Sequence, residues 1–377
     1  MNDWKIPLYK IHNDKNDLQS ISNVIKRGMD WAIGPEIEKF EKSFASYIGT
    51  KFCVSFNSGT SAGHAALLSL GIKKNDEVIV PSFSFIATAN WPLMVNAKPK
   101  FVDIEEQTLG LDPTKIESAI TTNTKAIIPI HYAGLPCQID KIKKISNEYD
   151  IPLIEDAAES VGASIKNKKV GTFGTLSIFS FAGNKVMTTG EGGAIVTNSK
   201  NIFEKLKLIR SHGRSTANYF SSTKSPNYVS MGYNWRMSSI TAALANSQLK
   251  KINKLIGMRR KNSKYMIDQL SQFNEIRSPK EPKNFKHAFQ LFSIRLPNNI
   301  VRNNLANFLN KKGIMTKVFF DPIHLTKFYQ NNLHYTKNKL KTTEKVSSEI
   351  LSLPMFPGLK TQEIDYIINS IGKFFKY

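Results

Sequence analysis

Short β-branched runs alternate with helix-like segments through the first half of this chain, and this alternation constrains the fold more than any other feature. Strands that are separated by helices predict βαβ units and a mainly parallel sheet covered on both faces. The periodic stretches SAGHAALLSLGI and QIDKIKKISNEYD are predicted to be helices of such units. The predicted strands are FCVSF, DEVIVP, KFVDI, KAIIPIHY, IPLIED, LSIFSF and GGAIVT. The sequence therefore predicts an α/β fold.

A smaller unit is predicted after this sheet, since a chain of 377 residues exceeds the usual size of one domain. The stretch MSSITAALANSQLKKINKLIGMRRKNSKYMIDQL is longer than most globular helices, so we expect a helix that runs between two domains. After the proline- and lysine-rich SPKEPKNFKH, the segments AFQLFSIRL, VRNNLANFLNKKG, IMTKVFF and QEIDYIINSIGKFF predict strand, helix, strand and helix. We therefore expect a large domain over residues 1–250 and a small C-terminal α+β domain over residues 251–377.

The formal net charge of +22 raises the question of nucleic-acid binding. The lysines are scattered, as in IKKND, KIKKIS and KNKK, and do not gather with aromatic residues on one helix face. This distribution favours a solvated basic surface, which also attracts small anionic substrates. We therefore expect no nucleic-acid partner.

Three features are typical of a cytoplasmic protein. The N-terminal MNDWKIPLYK lacks the apolar stretch and cleavage site of a secretory signal. Cys53 and Cys137 are too few for a disulfide framework and lack the spacing of metal ligands. The stretch Val78–Val95 carries no charge, but prolines and an asparagine interrupt it, so it predicts a buried strand followed by a helix. We expect neither a metal nor a membrane partner.

Chemically suggestive residues follow four of the predicted strands, where ligands of open α/β sheets bind. NSGTSAG, after FCVSF, opens a helix with small residues whose free N–H groups can hold a phosphate. Phe85 follows IVP and can stack on a flat ring. Glu155 and Asp156 follow IPLI, and Ser180 follows LSIF with Lys185 close behind. These features predict a ligand site at one edge of the sheet.

One cofactor, pyridoxal phosphate, would account for all four features. It needs a lysine amine for its aldehyde, a carboxylate for its pyridine nitrogen, an anion site and a flat surface. Lys185 follows Asp156 by 29 residues, about the length of one βαβ unit. Three of the features also have simpler explanations: a solvated lysine, Asp156 as the N-cap of a helix over AAESVGA, and NSGT as an ordinary cap.

The stretch GTSAG, residues 59–63, supports a competing hypothesis. It matches the G-x-S-x-G nucleophile elbow of α/β hydrolases, and Ser61, Asp156 and His212 follow the hydrolase order. The motif is short, however, and a serine hydrolase would leave Lys185 and Phe85 without a role. The sequence therefore favours the pyridoxal phosphate site.

Over almost its whole length the chain resembles the DegT/DnrJ/EryC1/StrS family of nucleotide-sugar aminotransferases. The stretches that carry this resemblance are WAIGPEIEKFEKSFASYIGTKFCVSFNSGTSA, DEVIVPSFSFIATANW, AKPKFVDIE, LIEDAAESVGA, FSFAGNKVMTTGEGGAIVTN, RSHGR, GYNWRMSSITAALANSQL and LSLPMFPGL. The resemblance implies the aspartate-aminotransferase fold, which is fold type I of the pyridoxal phosphate enzymes, and transaminase activity.

The resemblance also implies roles for individual residues. Lys185 would form the Schiff base with the cofactor and move the proton, and Asp156 would hold the pyridine nitrogen. Asn234 of one subunit would reach the phosphate site of its neighbour, which implies a homodimer with shared active sites. The complete cofactor-binding set implied in this way is Gly59, Thr60, Phe85, Asp156, Glu159, Ser180, Lys185 and Asn234. Glu159 occupies a position that is often Gln in the family and would approach the ring from the same short helix as Asp156.

The family's reaction implies glutamate as amino donor and a nucleotide-linked keto sugar as acceptor. The segments GNK and KVFFDPIHLTKFY resemble perosamine-type enzymes that act on 4-keto-6-deoxy sugars, and amination of a 3-keto sugar is the alternative. Phe319 and Phe320 stand where the family often has His-Tyr. His324 is expected either near the sugar or nucleotide, or bonded to a local carbonyl. Thr175 stands where the family has aspartate, with no consequence that the sequence assigns.

Overall fold

The computed structural model describes residues 4–215, 223 and 225–375. In these residues the strands are β1 Phe52–Phe56, β2 Glu77–Pro81, β3 Lys98–Val102, β4 Thr124–Ile127, β5 Ile154–Asp156, β6 Ser164–Ile165, β7 Lys168–Lys169, β8 Leu176–Ser180, β9 Gly193–Thr197, β10 Phe285–Lys286, β11 Phe292–Arg295 and β12 Ile350–Leu353. The helices are α1 Lys15–Arg27, α2 Pro35–Ile48, α3 Gly59–Ser69, α4 Ala87–Met94, α5 Pro113–Ile116, α6 Ile139–Glu148, α7 Lys200–Arg210, α8 Ser239–Lys250, α9 Ile252–Leu270, α10 Asn299–Lys311, α11 Lys327–Leu333, α12 Lys341–Glu349 and α13 Thr361–Phe375.

The seven strands predicted from the first half of the sequence line up in the order β1-β9-β8-β5-β4-β2-β3. Parallel bridges from Ile127 to Leu153 and from Ile130 to Asp156 join β4 to β5. Strand β9 is antiparallel to both of its neighbours, whereas the other pairs are parallel. The predicted mainly parallel sheet is therefore confirmed, with one antiparallel strand inside it.

Most of the predicted helices are present, but three predictions of local structure are wrong. The long stretch after residue 236 is divided at Lys251 into α8 and α9, and the Lys251 ammonium is bonded to Asp14 and Asp17 at the start of α1. The segment IMTKVFF makes isolated bridges, such as Lys317 to Ser352, in place of a strand. The residues that follow Asp156 form turns, not a short helix.

The buried apolar residues form separate clusters around the sheet and around the C-terminal elements. Helix α9 contributes Leu255 and Ile256 to a cluster on the sheet and Met266 and Leu270 to the C-terminal cluster. Ile6, from the N-terminal segment, also packs in the C-terminal cluster. Helix α9 therefore spans both clusters, and the domain boundary after residue 250 stays a prediction. Across the described residues, no helix has both the length and the apolar character that a membrane crossing requires.

The buried carboxylate of Glu155 fixes the connection between β5 and β8. It accepts hydrogen bonds from the N–H groups of Gly171, Phe173 and Gly174 at 2.7–2.8 Å and from the Ser177 hydroxyl at 2.9 Å. His131 Nδ1 accepts from the Cys137 N–H, so His131 Nε2 carries the ring proton and donates to Glu155 at 3.0 Å. Burial opposes ionisation, but these donors hold the pKa of Glu155 below its usual value.

Thr175, where the resembling family has aspartate, takes part in the same connection. Its hydroxyl accepts from the Leu153 N–H at 3.3 Å, and its carbonyl accepts from the Thr197 hydroxyl at 2.8 Å. This threonine therefore ties the start of β8 to both β5 and β9 through neutral hydrogen bonds.

We predict that Glu155→Gln lowers the free energy of unfolding by about 3 kcal/mol or more, because an amide cannot accept from all of these buried donors. The stabilisation by the carboxylate is present above its unfolded pKa of about 4.3 and is lost as the pH falls through the lower folded value. Urea unfolding should therefore show a difference between wild type and variant that shrinks below about pH 4. The exposed Glu38→Gln variant is the control and should unfold like the wild type. Equal stability of the two variants at neutral pH would contradict the prediction.

Candidate active site

The carboxyl ends of β5 and β8 lie side by side and define the position of the site. Asp156, the last residue of β5, is in register with Ile178, so that Ser180 extends two residues further at the end of β8. Ser180 pairs with Gly193 at the start of β9, and Gly193 also pairs on its other side with Phe56 at the end of β1. The strand ends therefore bring the segments 156–159, 180–185 and 57–60 to one edge of the sheet.

The first turn of α3 approaches Ser180 closely enough to form an anion cradle. A Cβ atom at Gly59 would lie 2.9 Å from the Ser180 Cβ, and one at Gly193 would lie 2.4 Å from the Ser58 carbonyl oxygen, so both positions require glycine. The Ser58 hydroxyl caps the helix by accepting from the Ser61 N–H at 3.1 Å. In the part of the chain that the structure describes, the N–H groups of Gly59 and Thr60 have no protein acceptor. They are positioned to bind a phosphate.

Lys185 lies in the loop between β8 and β9, and its side chain is largely buried. Its Nζ is 3.5 Å from Glu159 Oε1, while the other oxygen of Glu159 accepts from the Ala133 N–H at 2.9 Å. The Lys185 N–H donates to the Ala182 carbonyl at 3.0 Å. The predicted Lys185 and Glu159 are therefore brought together, with the carboxylate fixed by a backbone group.

Asp156 is buried at the same edge and is hydrogen-bonded by a residue that sequence reasoning missed. Its Oδ2 accepts from the Thr88 hydroxyl at 2.6 Å, and its Oδ1 accepts from the Ala158 N–H at 3.2 Å. Thr88 is itself hydrogen-bonded to Ser84 at 2.7 Å, one helical turn earlier in SFSFIATAN. Burial raises the pKa of Asp156, although the Thr88 bond and the Lys185 charge oppose the rise.

Phe85, the predicted stacking residue, is 58% exposed, which leaves apolar surface accessible to a ligand. Its nearest described aromatic neighbour is Phe320, with a centroid separation of 6.3 Å. Of the Phe319–Phe320 pair singled out in the sequence, Phe320 therefore lies near the predicted ring-binding residue.

Asn234 is exposed on a loop beside the cradle. Its backbone forms a bridge with Ser211, and the carbonyl of the next residue, Trp235, accepts from the Asn57 N–H at 2.9 Å. These contacts lie within one chain, and the reach of Asn234 into a neighbouring subunit stays a prediction.

His324 is fully buried and has partners at both ring nitrogens. Its Nδ1 is 2.7 Å from the Ser82 hydroxyl, and its Nε2 is 3.3 Å from Glu344 Oε1. Burial lowers the pKa of this histidine. The structure therefore does not group His324 with Lys185. The partners of His324 are a hydroxyl and a carboxylate, and these contacts favour a local structural role.

The three residues of the hydrolase hypothesis are not assembled into a triad. The Ser61 hydroxyl donates to Asn57 Oδ1 at 2.6 Å, and the Asp156 carboxylate accepts a hydrogen bond from the Thr88 hydroxyl. His212 is exposed on a turn with a positive φ of 59°. None of these contacts activates a serine nucleophile. Within residues 4–215 and 225–375, no group of three or more His, Cys, Asp or Glu side chains is arranged to hold a metal ion.

The chain is similar over more than nine tenths of its length to several known proteins. The chain is 37% identical over 376 residues to the uncharacterized protein MJ1066 of Methanocaldococcus jannaschii, covering 98% of this chain and 97% of that protein. It is 35% identical over 345 residues to the GDP-perosamine synthase of Caulobacter vibrioides, covering 91% of each. Among solved structures, Helicobacter pylori PseC, an aminotransferase involved in the biosynthesis of pseudoaminic acid, superposes with a TM-score of 0.92 at 28% identity and covers 98% of this chain and 99% of its own.

These similarities extend along the whole fold, which confirms fold type I of the pyridoxal phosphate enzymes. The family model of the DegT/DnrJ/EryC1/StrS aminotransferases matches residues 12–372. The chain therefore belongs to the DegT/DnrJ/EryC1/StrS aminotransferase family, and its cofactor is pyridoxal phosphate.

Proposed function

We propose that this chain transfers the amino group of glutamate to the C4 keto group of a nucleotide-linked 6-deoxyhexose. The observation that carries the proposal is the position of the Lys185 amine, 3.5 Å from Glu159 and at the same sheet edge as Asp156 and the anion cradle. The product is a nucleotide-linked 4-amino sugar.

The residues at this edge fit the cofactor. Pyridoxal phosphate supplies an electrophilic aldehyde carbon and a ring that withdraws electrons from the reacting carbon. The N–H groups of Gly59 and Thr60, with the Ser180 hydroxyl, would hold its phosphate, and Phe85 would pack on its ring. The Asp156 carboxylate keeps the ring nitrogen protonated, because a positive partner relieves the cost of burying its charge.

Lys185 would hold the cofactor covalently through its Nζ and, as a free amine, would move a proton at the reacting carbon. Glu159 keeps the amine within reach, since its second oxygen is fixed by the Ala133 N–H. The acid and base work of the reaction is thus assigned to one residue that a neighbouring carboxylate positions.

The choice of a 4-keto sugar rests on the similarity to the GDP-perosamine synthase and on the segment KVFFDPIHLTKFY. The placement of Phe320 beside Phe85 supports a role for this segment near the substrate. Moving the ketone by one ring carbon displaces it by roughly 1 Å or more, and such displacements strongly reduce catalysis. One pocket should therefore favour one position of the ketone. The basic surface attracts the pyrophosphate without selecting the nucleotide.

The active assembly is proposed to be a homodimer in which Asn234 reaches the phosphate site of the second subunit. The exposure of Asn234 and its place on a loop beside the cradle support this assignment. In a two-fold dimer the same loop serves both sites.

The substrate assignment predicts a higher kcat/KM for 4-keto than for 3-keto sugars on the same nucleotide, with glutamate as donor. The measurement uses matched pairs on UDP, GDP and dTDP, with the aminated products identified by mass. Lys185→Ala is the inactive control. A preference for the 3-keto sugar would overturn the position of amination but not the transaminase assignment.

We predict that Thr88→Val weakens the binding of pyridoxal phosphate about tenfold at neutral pH, because the Asp156 carboxylate loses a short hydrogen bond to its charged form. The Thr88 bond lowers the pKa of Asp156, so its loss raises that pKa further. The Asp156 carboxylate is charged above this pKa. When the pH is lowered, the variant should therefore begin to lose cofactor affinity at a higher pH than the wild type does. Titration of the apoprotein with pyridoxal phosphate across pH measures this shift. Thr88→Ser retains the hydroxyl and should behave like the wild type; identical profiles for Val and Ser would contradict the prediction.

The shared-site proposal predicts complementation between two inactive variants, Lys185→Ala and Asn234→Asp. Random reassociation gives mixed dimers in half of the population, each with one intact site, so about a quarter of wild-type activity should return. The control mixes Lys185→Ala with the double variant Lys185→Ala/Asn234→Asp, which forms no intact site. Verified mixed dimers without activity would place both residues in the site of one subunit.

A further inference from the structure

The buried side chain of Gln290 is bonded to both peptide groups that flank Lys185. Its Oε1 accepts from the Val186 N–H at 2.7 Å, and its Nε2 donates to the Asn184 carbonyl at 2.7 Å. The first bond engages the peptide after Lys185 and the second engages the peptide before it. A single amide thus spans the Lys185 Cα, and rotation about φ or ψ of the lysine would break one of the two bonds.

Gln290 is well suited to this task because its own backbone is immobilised. The buried Arg259 guanidinium donates to the carbonyl oxygens of Phe289, Gln290 and Met355 at 3.0–3.2 Å. Neighbouring backbone groups pair with the segment at Ala133, since the Leu291 N–H donates to the Ala133 carbonyl at 3.2 Å. The side chain that holds Lys185 is therefore anchored to α9 and to the C-terminal cluster.

The same segment also acts on the other end of the lysine. Ala133, which accepts from the Leu291 N–H, donates its own N–H to Glu159 Oε2, and Glu159 Oε1 is the oxygen nearest the Lys185 ammonium. The backbone and the amine of Lys185 are thus both oriented by residues 288–291 and their partners.

We propose that Gln290 is a positioning residue that fixes the backbone of Lys185, so that the released amine returns to one location during proton transfer. This inference rests on the proposed role of Lys185. It assigns Gln290 no contact with the cofactor or the sugar. Its effect should appear in kcat, which depends on the placement of the amine, and not in substrate binding.

The test uses the full-length protein and the variant Gln290→Met, which keeps an unbranched side chain of similar length and removes both hydrogen bonds. We expect kcat to fall about 10- to 100-fold with unchanged KM for glutamate and for the nucleotide sugar. Hydrogen exchange, measured by mass spectrometry without cofactor, should become faster in the peptide that contains Val186. Gln290→Glu retains an acceptor for the Val186 N–H, so the Val186 amide should exchange slowly again, although the ionised carboxylate no longer donates to the Asn184 carbonyl.

The control is Asn310→Leu, which removes amide hydrogen bonds to Thr316 in the C-terminal part of the chain. It should leave kcat and the exchange of the Val186 peptide unchanged even if it lowers the thermal midpoint. Unchanged exchange and kcat in Gln290→Met would overturn the proposal, as would equal losses of kcat in the two variants at equal loss of stability. Failure of the proposed function is separate: the wild type would then aminate no 4-keto nucleotide sugar with glutamate as donor, while the exchange data, which need neither cofactor nor substrate, would still decide whether Gln290 holds the lysine backbone.

Discussion

The parallel pairing of β5 with β8 is the constraint on which the rest of the site depends. It sets Asp156 opposite Ile178 and so places Ser180 and the loop of Lys185 just beyond the end of β5. Parallel strands cannot be joined by a tight turn, so residues 157–175 must leave the sheet and return. The Glu155 carboxylate holds the end of that connection through the N–H groups of residues 171, 173 and 174. Glu155 therefore fixes the strand geometry on which the position of Asp156 depends.

Glu155 and Asp156 are adjacent and both buried, yet their pKa values move in opposite directions. Successive residues of a strand point to opposite faces, and the two carboxylates meet different surroundings. Glu155 accepts five hydrogen bonds inside the protein, which more than offset its desolvation. Asp156 accepts two hydrogen bonds, from Thr88 and Ala158, which do not offset its desolvation. A positively charged ligand would supply the stabilisation that these bonds do not. One carboxylate stabilises the fold, and the other is the one that we propose to meet the cofactor.

The C-terminal elements reach the site through the short segment 287–291. This segment joins the Arg259 guanidinium, the backbone at Ala133 and, through Gln290, the loop of Lys185. Burial lowers the pKa of Arg259 to about 10, and the three carbonyl oxygens that it binds offset part of that cost. The position of Lys185 is thereby coupled to the packing of α9 against two hydrophobic clusters.

The sequence by itself determined the parts of this protein that local patterns encode. The strand runs, the opening of α3 at Gly59, and the order of Asp156, Ser180 and Lys185 all follow from short stretches, and the resemblance extends them to a family. Thr88, Gln290 and the surroundings of His324 escaped sequence reasoning, because their partners lie 68, 104 and 242 residues away in the chain. No local periodicity encodes such a pairing. The break at Lys251 belongs to the same class, since its partners Asp14 and Asp17 come from α1. Tertiary packing alone decided which buried polar groups meet, because each must find a hydrogen-bond partner once it has left water.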